Sequence, residues 1–267
     1  MPKKSTGSFS TGYMQMNDLF KPAIILCEPQ SPGNIGSVAR AMANFGSCNL
    51  RLISPCDHLH PEALKFAVGA VHLLESATIY PDLSTAVSDL EISIATTRRE
   101  GGMRGSLIKS SQLHDQLLAT LTSQTRLGLI FGREDSGLTS DEISLCSHVA
   151  TVSTSDEQGS LNLAQAVLLF LYEIARESDQ RSTTSNFDRP TQGELNGLLD
   201  QIHEVLDRVA FLNPSKPGRT LHRLKQLTLR ANPDRKEVAL LRGMWSQLAS
   251  SINDWRGRRK GNNEIER

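Results

Sequence analysis

The chain reads as an α/β protein with a mostly parallel sheet, helices on both of its faces, and a small helical second domain. Three observations predict this. Five short apolar runs alternate with helical patterns over the first two-thirds of the chain. The passages from run to helix go through turns rich in Gly, Asn and Ser. Beyond Arg176 the strands stop, and a polar stretch leads into amphipathic helices alone.

The predicted strands are 23–27, 50–53, 92–96, 127–132 and 149–152, each an apolar run of strand length. Between them, apolar residues at helical spacing predict helices over 35–45, 61–70, 83–89, 111–122, 139–146 and 161–176. In a sheet of this kind ligands bind beyond the carboxyl ends of the strands. The stretch 179–192 is rich in Ser, Thr, Asp and Arg, with Pro190 as a break, and reads as a linker. Helices follow over 194–211, 221–231 and 237–255; the first places Leu195, Leu198, Leu199, Ile202, Val205, Leu206 and Val209 on one face. The expected division is a lead at 1–20, a domain at 21–178, the linker at 179–192, a helical extension at 193–256 and a flexible tail at 257–267.

Composition narrows the class of function. A chain of 267 residues with 38% hydrophobic and 22% charged residues can bury a full core. No apolar run approaches the roughly 20 residues that cross a bilayer, and the lead lacks the apolar stretch of a signal peptide. Four cysteines with neither CxxC spacing nor disulfide density suit a reducing cytoplasm. The string Cys56-Asp57-His58-Leu59-His60 has no second ligand pair at zinc spacing, so a loop is expected there and no metal. The net charge of zero conceals a split: residues 1–179 carry 13 Lys and Arg against 19 Asp and Glu, whereas residues 180–267 carry 16 against 10. The excess of six positive charges at one end suits either a polyanion or a solvated helical surface.

Three islands carry the chemistry. In Asn34-Ile35-Gly36-Ser37-Val38-Ala39-Arg40, Gly36 and Ser37 are expected at a helix start whose free amides can hold an anion, with Arg40 further round the helix. In Phe131-Gly132-Arg133-Glu134-Asp135-Ser136-Gly137-Leu138, Gly132 ends a strand where a ligand can approach closely. Glu134 there can accept hydrogen bonds, and Gly137 suits a turn. In Gly159-Ser160-Leu161-Asn162-Leu163 a loop opens the longest apolar helix, and Asn162 reads as a cap or a ligand. Each island also has a plain reading, as a helix cap, a βα loop or a surface arginine.

Taken in order, NxGSxAR, FGxExxGL and SLN before an apolar helix resemble the three motifs of the SpoU branch of the SPOUT RNA methyltransferases. The resemblance spans about residues 20–178. The pattern Leu221-x-x-Leu224-Lys225-x-Leu227 with Arg230, then Glu237-Val238-x-x-Leu241-Arg242-Gly243, is similar to the C-terminal extension of that branch's TrmJ-type tRNA methyltransferases.

The resemblance implies a SPOUT α/β knot, an exception to the rule that chains are unknotted, and transfer of a methyl group from S-adenosylmethionine to a ribose 2′-hydroxyl. The substrate implied is tRNA, at cytidine or uridine 32 of the anticodon loop, and the assembly a homodimer. The cofactor residues implied are Thr96, Thr97, Arg98, Gly132, Val152, Gly159, Ser160, Leu161 and Asn162. Arg40 would be the central catalytic residue, gripping a phosphate and steadying the nascent alkoxide, because an arginine is essentially never neutral in water. Asn34 would orient Arg40 or the ribose, Glu134 would hold the loop, and Ser37 would reach the substrate phosphate. On the extension, Arg219, Arg223, Lys225, Arg230 and Arg242 would hold RNA phosphates. Arg235 and Lys236 belong to the same basic run.

One position departs from the family pattern. Ser31 stands where TrmJ-type proteins often have a histidine, within Pro29-Gln30-Ser31-Pro32-Gly33. The basic, glycine-containing segment from Arg98 to Arg104 is expected to be a mobile substrate loop. Ribosomal RNA as substrate and a non-catalytic RNA-binding or assembly factor stay open as alternatives.

Overall fold

The computed structural model describes residues 21–98, 107–122, 124–155, 159–176, 187–212 and 217–252. The expected lead at 1–20, the tail at 257–267 and the loop beyond Arg98 lie outside the described residues. Seven strands, β1 (Ala23–Cys27), β2 (Leu50–Ile53), β3 (Thr78–Tyr80), β4 (Ile92–Thr96), β5 (Leu107–Lys109), β6 (Leu127–Phe131) and β7 (His148–Thr151), form one sheet. Their order is β3-β2-β1-β6-β4-β7-β5, and every pair is parallel.

The continuous apolar runs are explained by burial on both faces. In β1, Ile24 and Leu26 join one core while Ala23, Ile25 and Cys27 join the other, the two-residue alternation of a strand. The first core is covered by α1 (Pro32–Asn44), α2 (Pro61–Phe66), α3 (Val71–Glu75), α5 (Leu113–Gln116) and α7 (Leu163–Arg176). The second is covered by α4 (Leu83–Val87) and α6 (Ser140–Leu145).

Five strands fall within a residue of their expected bounds. β3 and β5 were not expected: each has three residues at a sheet edge, too few for an apolar pattern to show. The helix expected over 61–70 ends at Phe66, and Gly69, whose φ of +75° no right-handed helix allows, separates it from α3, a helix that was not expected. The stretch 111–122 forms only α5, between two 3₁₀ turns. α1 starts three residues earlier than expected. The Ser31 hydroxyl accepts from the Asn34 amide at 3.3 Å as N-cap, and Pro32 occupies the first turn.

Arg51 on β2 is 4% exposed. It forms a bidentate pair with Asp89 at 2.5 and 2.9 Å and donates to the Ala86 carbonyl at 2.5 Å. The Arg51 hydrogen bond holds the Asp89 carboxyl below its usual range. One charged side chain thereby ties β2 to the end of α4.

The extension consists of α8 (Gln192–Arg208), α9 (Pro217–Ala231) and α10 (Arg235–Ser251) around Leu195, Leu198, Ile202 and Val238. The described end of the expected linker is seated on the first domain rather than free. Arg189 donates to the Thr120 carbonyl at 3.0 Å. The Gln192 and Gly193 amides donate to the Leu90 and Ser88 carbonyls at 2.7 and 2.9 Å. Among the described residues no helix is long and apolar enough to cross a membrane.

Two stability outcomes follow. Arg51→Ala leaves Asp89 and the Ala86 carbonyl without their partner, and chemical denaturation is expected to show a loss of about 3 kcal/mol. Burial, helped by nearby Arg189, pushes the His148 imidazole down from 6.5 to about 4. Between those values the unfolded chain binds more protons than the folded one, so stability falls as pH drops through that window. Melting curves from pH 7 to 4.5 should show this fall, and His148→Gln should flatten it.

Candidate active site at the C-terminal ends of β1, β6, β4 and β7

The strand order sets the ends of β1, β6, β4 and β7 side by side. The loop after β1 therefore faces the loop after β6, although about a hundred residues separate them. Glu134 bridges the two. Its carboxylate accepts from the Gln30 amide at 2.9 Å, the Ser31 amide at 3.2 Å and the Asn34 side-chain amide at 3.0 Å. Three N–H donors on one carboxylate make a firm, charge-assisted anchor.

The third island joins through Asn162. Its side-chain nitrogen donates to the Asn34 side-chain oxygen at 2.9 Å. Its own oxygen accepts from the Ala164 and Gln165 amides at 2.9 and 3.4 Å, capping α7. Asn162 is thus a cap and a link together, and Asn162, Asn34 and Glu134 form one directed chain of hydrogen bonds.

Within α1, two expected features take other roles. Gly36 and Ser37 lie in the second turn, not at the helix start. A Cβ on Gly36 would come within 2.1 Å of the Ala63 carbonyl oxygen, so Gly36 permits close packing of α1 on α2. The Ser37 hydroxyl donates to the Gly33 carbonyl at 2.8 Å. Arg40 lies roughly 9 Å further along the axis than Asn34, and it is exposed. It has no hydrogen-bond or ion-pair partner among the described residues.

Beside this network is a cavity of about 170 Å³, bordered by Thr96, Thr97, Arg98, Gly132, Glu134, Val152, Gly159, Ser160 and Leu161. Leu138, Leu163 and Phe170 supply apolar walls. Asn162 is outside the lining. Gly132 serves the protein's own turn: a Cβ there would meet the Gly137 carbonyl carbon at 2.2 Å and the Leu138 nitrogen at 2.3 Å. Gly137 lies in the turn expected there, with a φ of +73°, in the left-handed region. Arg133 had no expected role. It pairs with Glu142 at 3.1 Å and with Glu28, and so clamps this turn to the end of β1. Its only sequence signal is the surplus of acids around it, which does not reveal which ones it meets.

The model of the SpoU rRNA Methylase family matches residues 21–172. The chain belongs to the SpoU methylase family. Outside the SpoU domain, the C-terminal domain of the tRNA methyltransferase TrmJ matches residues 193–259. A tRNA (cytidine/uridine-2′-O-)-methyltransferase TrmJ from Photorhabdus laumondii is 31% identical over 237 residues, covering 87% of this chain and 96% of the relative. The protein of the same name from Cronobacter sakazakii is 30% identical, covering 86% and 97%. The crystal structure of TrmJ from Z. mobilis ZM4 superposes with a TM-score of 0.73 at 33% identity, covering 85% and 98%. A probable methylase family protein from Haemophilus influenzae follows at 0.56 and 27%, covering 88% and 98%.

Away from the SpoU domain, Arg219, Arg223 and Arg230 on α9 are exposed and have no carboxylate partner among the described residues. Arg242 donates to Gln201 at 3.3 Å. Arg235 is paired with Asp188 and Glu194, both at 3.2 Å. Lys225 differs from the surface arginines: its ammonium turns inward and donates to the Ser144 carbonyl. Burial lowers it to about 8. Among the described residues no group of three or more His, Cys, Asp or Glu is placed to hold a metal ion. In the Cys56–His60 loop, His60 accepts from the Glu62 amide as the cap of α2 and Asp57 accepts from the Leu59 amide.

Asn162→Asp retains the capping oxygen but loses the donor to Asn34, whereas Asn162→Ala loses both. Thermal unfolding is expected to cost about 1 kcal/mol more for the alanine variant. Both variants should lose methyl transfer, at least about tenfold, in a single-turnover assay.

Proposed function

We propose that the protein uses S-adenosylmethionine to methylate a ribose 2′-hydroxyl of tRNA, at cytidine or uridine 32 of the anticodon loop. One observation carries the reading: the Asn162–Asn34–Glu134 chain gathers all three motif islands at the carboxyl ends of the inner strands, with Arg40, without a partner among the described residues, on the same helix as Asn34. The tRNA substrate is supported by the likeness to proteins named for that activity over most of their length and this chain's.

The donor set fits the cofactor. Leu138, Val152, Leu163 and Phe170 offer apolar surface for an adenine and a thioether. Thr96, Thr97, Gly132, Ser160 and Leu161 offer hydroxyls and backbone groups for its polar edges, and Arg98 complements a carboxylate. When bound, S-adenosylmethionine supplies a methyl carbon on a good sulfonium leaving group, and transfer from it to oxygen calls for no metal ion.

An arginine side chain is a poor base, so the work of Arg40 is electrostatic: it grips the phosphate beside the target ribose and steadies charge growing on the 2′-oxygen. Glu134 has three N–H donors on its carboxylate and acts as an anchor rather than a base. Asn34, held at both ends of its amide, fixes the first turn of α1 and with it the direction of Arg40. Ser37 is a lesser contact, since its proton is already donated to Gly33.

In this reading the protein works in the cytoplasm as a homodimer, and the dimer is supported by the exposed Phe66 at the end of α2, Val68 just after it, and Leu168, Leu169 and Tyr172 on α7. The deep trefoil knot also belongs to it, supported by the insertion of β7 between β4 and β5, which precede it in the chain. The SpoU domain at 21–178 carries the chemistry, and the extension at 193–256 carries phosphate contacts through Arg219, Arg223, Arg230 and Arg242. Lys225, turned inward, contributes less to that grip.

Labelled methyl transfer to bulk tRNA and to ribosomal RNA, followed by nucleoside analysis, tests the reading. The expected product is 2′-O-methylated cytidine or uridine in tRNA, with turnover reduced at least about 100-fold by Arg40→Ala and clearly by Arg40→Lys. Label in ribosomal RNA alone would move the substrate, and no label in either would favour a binding factor. Tight tRNA binding should weaken with salt, and replacing Arg219, Arg223 and Arg230 together should lower the slope of log affinity against log salt by about 2 to 3.

A further inference from the structure

A cleft of about 940 Å³ lies between the SpoU domain and the extension. One wall is α6 and the start of β7; the other is α8 and α9. It adjoins the cofactor cavity in sequence, for Leu138 lines that cavity and Ser140 lines this cleft. α6 begins two residues beyond Leu138, and Ser140, Asp141, Ile143, Ser144 and Leu145 all line the cleft.

The lining is of two kinds. Ile143, Val149, Leu199, Leu221 and Leu229 provide apolar faces. Asn196, Gln226, His148, His203 and His222 provide amides and imidazoles, with His203 on α8 and His222 on α9. Burial keeps His148 neutral near pH 7. Apolar faces, flat imidazoles and hydrogen-bonding amides are what an unstacked base meets in single-stranded RNA sites. Asp141 and Asp200, also at the cleft, can accept from the exocyclic amino group of a base.

The cations are distributed to match. Lys225, deep in the cleft, has already donated to the Ser144 carbonyl. Arg230 borders the cleft, and Arg219 and Arg223 stand on the same helix, all three exposed and without carboxylate partners among the described residues. A free anion would favour cations at the floor. Here Lys225 is already engaged, and among the described residues the unpaired positive charge lies along α9, the pattern for a base inside and phosphates outside.

We infer that the cleft between α6–β7 and α8–α9 receives an unpaired nucleotide of the RNA substrate, separate from the nucleotide that is methylated. The inference rests on the RNA reading above. It gives the extension a specific contact as well as a phosphate grip, so it can contribute to the choice among RNAs.

The test is photo-cross-linking of the full-length protein to tRNA transcribed with 4-thiouridine, with cross-linked peptides identified by mass spectrometry. Affinities are measured for two variants that fill the cleft from opposite walls, Asn196→Trp and Gln226→Trp, so that a failure of one to fold leaves the other. Expected are cross-links in peptides containing His203 or His222, and tRNA binding weakened at least about fivefold by either variant with S-adenosylmethionine binding unchanged. Wild-type affinity in the filled variants, with cross-links only around Arg40, would overturn the inference and leave the methyltransferase reading standing. A wild-type protein that neither binds nor methylates RNA would overturn both.

Discussion

The carboxylate of Glu134 is the point on which the site depends. It lies just past β6, and its three donors lie just past β1 or in the first turn of α1. Because β1 and β6 are adjacent strands, their loops are neighbours whatever their sequences; without this carboxylate, however, the Gln30 and Ser31 amides and the Asn34 amide would have no common acceptor. The register of α1 against the sheet, and so the position of Arg40, descends from it. Gly36 and Gly132 serve the same end by permitting backbone contacts that any side chain would block.

Charge is handled differently in the two halves. In the SpoU domain three arginines other than Arg40 are occupied in structure: Arg51 with Asp89, Arg133 with Glu28 and Glu142, and Arg126 with Glu91. On α9, three arginines are without such partners among the described residues. An excess of charge in a sequence is ambiguous, because a paired arginine and an unpaired one look alike; what decides the matter is which carboxylates the fold brings near. Arg235 illustrates this, for it belongs to the same basic run yet is occupied by Asp188 and Glu194.

Much of the fold was legible where the signal is local. β1, β4 and β6 are apolar runs long enough to be read directly, and the capping box of Thr139 with Glu142 marks the start of α6, whereas the boxes of Thr191 with Glu194 and Asp234 with Glu237 start α8 and α10 two residues before the expected 194 and 237. β3 and β5 were hidden because three-residue edge strands owe their form to a neighbour. The three islands could be found by composition and order, and the structure brings them together. Their internal roles could not be read. That Asn34 sits between Asn162 and Glu134, that Gly36 faces Ala63, and that Lys225 turns inward all depend on residues far away in the chain. Gln30 and Ser31 contribute backbone amides, which leave no trace in side-chain identity.

β7 pairs with β4 on one side and β5 on the other. A nascent chain that has emerged only as far as Cys146 therefore carries two open strand edges with nothing between them. Such edges attract other chains. Parallel pairing over long sequence separations is slow to form, and here it must wait for the strand that follows. Asn162 comes later still, so the hydrogen-bond chain through Asn34 closes only after the apolar helix behind it has left the ribosome. Synthesis from the N-terminus thus makes the half-built sheet a vulnerable intermediate, one that a chaperone would be expected to shield until residues 148–176 arrive.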